Sequence, residues 1–293
     1  MLPAWRAEES TLSRRSHTGY VQKTETNPEL YSPPTRDEDR VPPVFRLFPT
    51  DDNQAEVAAN FIAKQGAKSV WVVEDTSNPT YSEYLARKFL TDVYDVQPSL
   101  KVILWSTGLN LPPYAVDKLG IDWVFFAGNW QNALVLVRQL RAMPGTEKAK
   151  VLLSDASVDN LLLKYGGPDV EGVYLLHPLT ADLFNKKGYI GVGEEAYSLS
   201  TALINNVHEQ FDQLATDEAP LGYRVRRWLG LHRVSDARRA VAHYMATAVH
   251  NKNEFLLPSG TITMVQDEHR AVIRKEASFR VWRIDHNNFV QIQ

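Results

Sequence analysis

The spacing of apolar and polar positions changes sharply at Val44. Upstream of it, residues 6–43 are rich in Ser, Thr, Glu, Arg and Pro and show neither helical nor strand periodicity. Such a composition is typical of an extended or loosely ordered segment. Downstream, short runs of β-branched and aromatic residues alternate with stretches in which apolar residues recur at helical spacing. The pattern therefore predicts a folded α/β region that begins at Val44.

The apolar runs that follow Val44 predict the strands of a sheet, and these cover residues 44–48, 69–73, 101–105, 123–126, 150–153 and 170–176. Helical spacing predicts the intervening helices, which cover residues 51–65, 84–93, 132–143 and 158–164. We expect Thr50 or Asp51 to cap the first helix, Gly66 to end it, and residues 79–82 to form a turn. Continuous apolar strands that alternate with amphipathic helices favour a parallel sheet covered on both faces and joined by right-handed crossovers.

The rest of the chain has a different pattern. Residues 194–215 and 235–250 predict two helices, and a basic stretch lies between them. From Gly260 the apolar period becomes two, which predicts hairpin strands at residues 261–265, 271–273, 279–284 and 289–292.

Composition and charge exclude several classes of protein. The 293 residues are 44% hydrophobic and 23% charged, as in a folded protein long enough for two lobes. A formal net charge of −3 gives no overall attraction to nucleic acid or anionic membranes, and no run of about 18 apolar residues predicts a membrane span. The absence of cysteine excludes disulfides, thiolate nucleophiles and cysteine-based metal sites.

Motifs for metals and cofactors are also missing. The eight histidines have no metal-ligand spacing, and those on predicted helices are expected to be structural. The sequence Gly191-x-Gly193-x-x-Ala196 resembles a dinucleotide fingerprint but does not follow a strand. There is no Walker loop and no G-x-S-x-G elbow. We therefore expect no metal and no cofactor.

Two charged features have ordinary explanations. Asp51-Asp52, Asp75 and Thr107 invite comparison with a receiver domain, but such a domain needs another βα unit between its acid pair and its phosphorylated aspartate. The acid pair is better explained as charge at a helix N-terminus. The arginines between residues 224 and 239 could contact phosphates, but nearby acidic residues favour a solvated helix face.

Polar and aromatic residues cluster near the predicted strand ends, where open α/β sheets bind ligands. They are Asp75, Asn129, Trp130, Ser154, Asp155 and Tyr197. A carboxylate beside an aromatic ring suits a cationic or zwitterionic ligand, because the acid pairs with an ammonium and the ring supplies contact area. Simple loop polarity remains the alternative for each of these residues.

Several segments resemble the leucine/isoleucine/valine-binding protein family, a group of type I periplasmic-binding-protein-like receptors. Residues 44–55 (VFRLFPTDDNQA) are similar to its crossover strand and the helix start that follows. Residues 70–86, which contain VVED and later YSEYLA, resemble its Val-Asp and Tyr-Ser block. Residues 122–128 (DWVFFAG) and 168–173 (PDVEGV) resemble two further strands. Together with Tyr197 and the C-terminal hairpins, the resemblance covers about residues 28–293.

The resemblance implies an α/β, two-lobed Venus-flytrap fold, each lobe a mainly parallel sheet with helices on both faces. Lobe 1 would contain residues 1–49 and 180–279, and lobe 2 residues 50–179 and 280–293. The family has further βα units before Ser32 that this chain lacks, so lobe 1 is expected to be incomplete. We interpret the sequence as a fragment, or a mis-started product, of a longer exported receptor.

The resemblance also implies roles for single residues. In the segment Ser32-Pro-Pro-Thr35, Thr35 matches a position that holds the ligand carboxylate. Asp155 matches the acid that binds the α-ammonium group. Asn129 stands where the family often has an aromatic residue, which argues against a branched-chain aliphatic ligand. Tyr197 is expected to line the cleft or to pack beneath it.

The leading functional hypothesis is an extracytoplasmic solute-binding protein for an amino acid or related compound. It would serve the membrane permease of an ABC-type importer, or alternatively form the ligand-sensing domain of a signalling receptor. An α/β-sheet enzyme using Asp75 or Asp155 is the second hypothesis, although no convincing partner residue is found. A regulator of the lactose-repressor type is the third, but residues 1–43 are too rich in Pro for a helix-turn-helix. No nucleic-acid partner is expected.

Overall fold

The computed structural model describes residues 45–105, 120–184, 191, 193–202, 254–266, 272–275 and 277–293. Thr35, the predicted helix at residues 235–250 and the basic stretch before it lie outside the described residues. The predicted helix at residues 194–215 is described from residue 193 to 202, where the chain is helical.

Most of the described strands form one seven-stranded sheet. Its parallel part comprises β2 (Ser69–Glu74), β3 (Lys101–Trp105), β4 (Trp123–Ala127), β5 (Lys150–Leu153) and β6 (Tyr174–His177). A C-terminal hairpin, β10 (Arg280–Asp285) and β11 (Asn288–Gln291), adds antiparallel to β6. The strand order is β11-β10-β6-β5-β4-β2-β3. The chain therefore enters the sheet at β2 and places β3 on one side of it, at the edge. The later strands, from β4 onward, are added on the other side of β2.

Helices cover both faces of this sheet, as the alternating pattern predicts. Helices α1 (Asp51–Lys64) and α2 (Pro79–Val96) pack together with one set of strand side chains. Helices α3 (Trp130–Ala142) and α4 (Asn160–Gly166) contribute to a separate core on the opposite face. Each fully buried Leu, Val or Phe side chain stabilises such a core by about 1.5–3 kcal/mol. This burial keeps the carboxyl ends of the parallel strands in fixed relative positions.

The start and the end of α1 are formed as expected from local sequence. The Thr50 hydroxyl accepts a hydrogen bond from the Asn53 amide (3.2 Å), and Asp51 and Asp52 place negative charge in the first turn. Gly66, just after the helix, has a φ of 69°. An L-residue with a side chain is strained at that angle, so glycine is the natural terminator.

Several boundaries differ from the sequence prediction, and three of them have a local explanation. Residues 79–82, predicted as a turn, are the first turn of α2, because Pro79 suits the first helical position, where no amide donor is needed. Helix α3 begins at Trp130 instead of residue 132, since Asn129 caps it. Val170, predicted as the first residue of a strand, instead ends a 3-10 turn at residues 167–170, and β6 begins only at Tyr174.

A second, four-stranded sheet contains β1 (Phe45–Arg46), β9 (Val272–Arg274), β8 (Gly260–Gln266) and β7 (Glu254–Leu257), in that order. β1 is parallel to β9, and the other pairs are antiparallel. β7 was not predicted, and β1 is shorter than the predicted strand. Between β6 and β7, the described part of the chain contains α5 (Ala181–Phe184) and α6 (residues 193–202).

All strands of the seven-stranded sheet lie in the predicted lobe 2, and all strands of the four-stranded sheet lie in the predicted lobe 1. The lobe boundaries themselves stay a prediction. In the parts of the chain that the structure describes, no helix is both long enough and apolar enough to cross a bilayer.

Candidate functional site

The carboxyl ends of the parallel strands carry the candidate site. Asp155 follows β5 at the start of a short 3-10 turn, Asp155–Ser157. The first turns of α1 and α2 reach the same edge, because each helix runs antiparallel to the strands it covers. Gln54 and Tyr81 are distant from Asp155 in sequence, but this arrangement brings their side chains into contact with it.

Asp155 presents a carboxylate with one oxygen held in place. Its Oδ1 accepts hydrogen bonds from Gln54 Nε2 (2.7 Å) and from the Tyr81 hydroxyl (2.7 Å). Among the described residues, none donates a hydrogen bond to Oδ2. The residue is only partly buried. Asp155 is therefore oriented by the protein while keeping one oxygen for a donor from outside.

The two donors to Asp155 are held firmly. Gln54 is fully buried in the first turns of α1. Burial and then the charge of Asp155 raise the pKa of the Tyr81 hydroxyl well above its usual range. Tyr81 therefore keeps its proton at neutral pH and remains a hydrogen-bond donor.

His177 lies at the end of β6, which is paired with β5, and so stands at the same edge of the sheet as Asp155. Burial lowers the pKa of the imidazole to about 4, and the nearby carboxylate raises it only in part. Its Nδ1 accepts a hydrogen bond from the Leu179 amide (3.1 Å). The ring is therefore neutral at physiological pH.

Ser154, a predicted ligand residue, is fully buried behind Asp155. Its hydroxyl accepts from the Gly128 amide (3.0 Å) and donates to the Gly128 carbonyl (3.1 Å). Ser157 donates to the same carbonyl at 2.6 Å. The two hydroxyls join the ends of β4 and β5 and so fix where Asp155 emerges.

Asp75 and Asn129 form a second network, at the point between β2 and β4 where the chain changes direction in the sheet. Asp75 is 2% exposed, and its carboxylate accepts five hydrogen bonds, from the amide and hydroxyl of Ser77, the amide and side chain of Asn129, and Asn132 Nδ2. Burial alone would raise the pKa of Asp75, but these hydrogen bonds outweigh it and lower the pKa. The lone pairs of Asp75 are thus occupied by the protein itself.

The side chain of Asn129 is likewise occupied by hydrogen bonds within the protein. Its Oδ1 caps α3 by accepting from the Asn132 amide (3.0 Å), and its Nδ2 donates to Asp75 Oδ2 (3.0 Å) and to Ser77 Oγ (2.9 Å). Asp75 and Asn129 therefore hold the strand ends together through hydrogen bonds within the protein, and their contact with a ligand stays a prediction. Ligands commonly bind where the strand order of an open sheet reverses, which is between β2 and β4 in this sheet. Asp155, the carboxylate with one oxygen free of donors among the described residues, follows β5, the next strand beyond β4.

The two predicted aromatic residues lie in different surroundings. Trp130 stacks on Tyr165, with ring centroids 6.1 Å apart and an interplanar angle of 12°. Tyr197, on α6, is 74% exposed. Contact of either ring with a ligand stays a prediction.

Three residues of this site escaped the sequence analysis, namely Gln54, Tyr81 and His177. Gln54 and Tyr81 stand inside segments that carry the family resemblance, but nothing in their local pattern marked them as partners of Asp155. His177 ends an apolar strand, and only the pairing of β6 with β5 places it at the same edge of the sheet as Asp155. Within the described ranges, no group of three or more His, Asp or Glu residues is arranged to hold a metal.

Comparison with known proteins gives similarity in structure alone. No protein-family model matches the sequence, and no curated protein matches it. Among solved structures, a leucine-binding protein from Thermotoga maritima is 19% identical, with a TM-score of 0.55 over 85% of this chain and 67% of that chain.

Two further structures give the same result. An extracellular ligand-binding receptor from Rhodopseudomonas palustris is 19% identical, with a TM-score of 0.55 over 85% of this chain and 69% of that one. An ABC-transporter solute-binding protein from R. palustris, in complex with benzoate, is 14% identical, with a TM-score of 0.52 over 85% of this chain and 64% of that one. The chain thus spans about two-thirds of the length of the solved chains it matches. It has the α/β fold of the type I periplasmic binding proteins.

Proposed function

We propose that the chain is an extracytoplasmic solute-binding protein that binds a small polar ligand, an amino acid or a related compound, between two lobes. The observation that carries this proposal is the state of Asp155. This carboxylate, at the carboxyl edge of the parallel strands, is fixed through one oxygen and leaves the other without a donor among the described residues.

The chemistry of the site favours an ammonium group as the ligand's anchor. Asp155 Oδ2 would accept a charge-assisted hydrogen bond from it, while Gln54 and Tyr81 prevent the carboxylate from turning away. Fixing the acceptor in advance avoids the entropy loss of ordering it on binding. Thr35, which lies outside the described residues, is proposed to hold an acid group of the ligand from lobe 1.

The proposed role in transport is supported by the kinds of protein that share the fold. One structural neighbour is described as a leucine-binding protein and another as an ABC-transporter solute-binding protein. We propose that this chain likewise delivers its ligand to the membrane permease of an ABC-type importer and acts outside the cytoplasm. Binding, and not catalysis, is the activity proposed.

Calorimetric titration of the Asp155→Asn variant tests the assignment. The substitution keeps the size of the side chain but removes its charge. We expect affinity for an amino-acid ligand to fall by about 1.5–3 kcal/mol, roughly 10- to 150-fold. Asp95→Asn is the matched control, because Asp95 is an exposed carboxylate in the last turns of α2, whereas the site lies at the first turn of that helix. Unchanged affinity in Asp155→Asn would reject Asp155 as the ammonium site.

A further inference from the structure

His177 and Asp155 occupy equivalent places on neighbouring parallel strands. Leu153 of β5 pairs with Leu175 of β6, and Asp155 and His177 each lie two residues further along. The turn that starts at Asp155 packs against β6. The two side chains therefore emerge at the same edge of the sheet, where the candidate site lies.

The imidazole of His177 is fixed in one tautomer. Because the Leu179 amide donates to Nδ1 at 3.1 Å, Nδ1 carries the lone pair and the ring proton resides on Nε2. A pKa of about 4 keeps the ring in this neutral form at physiological pH. No described residue accepts a hydrogen bond from Nε2. His177 therefore offers a neutral donor at the strand end that neighbours the one followed by Asp155.

The ring is also held in position by packing. Phe184 and Trp282 meet it edge-on, with centroid distances of 5.5 and 6.0 Å. His177 is paired in register with Arg280, the first residue of β10. A side chain held from two directions loses little freedom when it binds a ligand, and this favours a role in recognition.

A negative acceptor and a neutral donor at the ends of two neighbouring strands complement a particular kind of ligand. An ammonium group satisfies Asp155, and an oxygen acceptor a few bonds away satisfies His177 Nε2. A ligand with the amine alone would leave the Nε2 proton without an acceptor once water is excluded, and such unpaired groups weaken binding.

We propose that His177 is a specificity-determining residue, which donates a hydrogen bond from Nε2 to an oxygen of the ligand whose ammonium group binds Asp155. The ligand class is then an amine with a neighbouring oxygen acceptor, either a carboxylate or a polar side chain. This inference rests on the proposed solute-binding function. In this proposal Asp155 recognises the amine of the ligand, and His177 recognises its oxygen acceptor.

Titrations of His177 variants with defined probes test the proposal. The probes are the common L-amino acids, together with L-leucine's decarboxylated amine, which lacks both oxygen acceptors. The variants are His177→Phe, which keeps the ring shape without a donor, and His177→Gln, which keeps an N–H donor. His286→Asn is the matched control, because His286 is 92% exposed in the turn between β10 and β11.

We expect His177→Phe to weaken the amino acids that bind by at least tenfold, while His177→Gln and His286→Asn stay within about threefold of wild type. A loss confined to probes with polar side chains identifies a side-chain oxygen as the acceptor, and a loss for every amino acid identifies the carboxylate. Equal affinity of His177→Phe and wild type, with Asp155→Asn weakened, would overturn the role of His177 alone. Failure of every probe to bind wild type would overturn the proposed function as well.

A spectroscopic measurement separates direct contact from a structural effect. In protein labelled with ¹⁵N-histidine, the His177 signals are assigned by their absence in His177→Gln. The free protein should show a protonated Nε2, and saturation with a binding amino acid should shift this signal. An Nε2 signal that does not move on saturation would contradict direct donation to the ligand.

Discussion

At the scale of single residues, Asp75 shows how a buried carboxylate can stabilise the edge of the sheet. It is almost completely buried, yet its pKa is lowered, because the hydrogen bonds from Ser77, Asn129 and Asn132 outweigh the cost of burial. Two of these donors are backbone amides, at Ser77 and Asn129, which have no neighbouring strand to bond. Asp75 thus replaces backbone pairing where β2 and β4 end.

Replacing Asp75 by Asn should therefore destabilise the fold. One carboxylate oxygen becomes an NH₂ group that faces protein donors, so that several hydrogen bonds are lost and buried amides are left unpaired. We expect the free energy of unfolding in urea to fall by about 2–4 kcal/mol. Asp95→Asn should stay within about 0.5 kcal/mol of wild type. A stable Asp75→Asn protein with weakened ligand binding would instead return Asp75 to the ligand site.

His177 makes stability depend on pH in a definite direction. Above pH 6.5 the imidazole is neutral in the folded and the unfolded chain and has no effect. Between pH 6.5 and about 4 only the unfolded chain takes up the proton, so the free energy of unfolding falls as the pH is lowered. The ceiling on this loss is about 3 kcal/mol, since one pKa unit is worth about 1.4 kcal/mol.

Comparing wild type with His177→Gln in urea at pH 7 and pH 4.5 isolates this effect, because all other titrating groups are common to both proteins. Wild type should lose more free energy of unfolding over this range than the variant. Parallel losses in the two proteins would show that His177 does not titrate as described.

Sequence reasoning could find the strand-end carboxylates but could not rank them. Asp75 and Asp155 both follow an apolar strand, and only the structure shows that the first is saturated by protein donors and the second is not. Asp75 accepts a hydrogen bond from Asn132, whereas Asp155 accepts its hydrogen bonds from Gln54 and Tyr81. These contacts join residues from different βα units, and a single sequence does not reveal them.

At the scale of elements, the close approach of β2 and β4 depends on Gly128. A Cβ atom at this position would lie 2.5 Å from Asp75 Cβ, 2.5 Å from Phe126 Cζ and 2.6 Å from Asp75 Oδ2. Gly128 also exchanges two hydrogen bonds with the Ser154 hydroxyl. The glycine therefore allows both networks at the strand ends to form.

The variant Gly128→Ala should unfold at a markedly lower temperature, because the added methyl group must displace the Asp75 network or the Phe126 ring. We expect a loss of about 1–3 kcal/mol, the usual cost of overpacking. Gly193→Ala is the control, since a Cβ atom there meets nothing within 4 Å. Equal melting temperatures for the two variants, measured by circular dichroism, would refute the tight packing at Gly128.

Elements were predictable where local chemistry determines them. Thr50 and Gly66 mark the ends of α1 as expected, and the five parallel strands fall on the apolar runs. Errors arose where one residue type suits two structures. Pro79 serves a turn or a first helical position equally well, and Val170 belongs to an apolar run but lies in a 3-10 turn before β6.

At the scale of the whole molecule, the parallel sheet with helices on both faces could be predicted because its pattern repeats several times along the chain. The pairing of β1 with β9, which are more than 200 residues apart, could not. Parallel pairing across such a distance leaves no local signal. The resemblance to a two-lobed receptor placed both segments in lobe 1 but predicted no pairing between them. The lobe boundaries remain a prediction that hinge closure would test.

The most direct test of the central claim is a thermal-shift screen of the purified protein against amino acids, small carboxylates, amides and polyamines. A ligand that binds only the folded state stabilises it by about 2.7 kcal/mol at 100 times its Kd, which raises the melting temperature by several degrees. We expect such a rise for a compound with an amine and a neighbouring oxygen acceptor. A cooperative melt that no probe shifts at millimolar concentration would contradict that expectation.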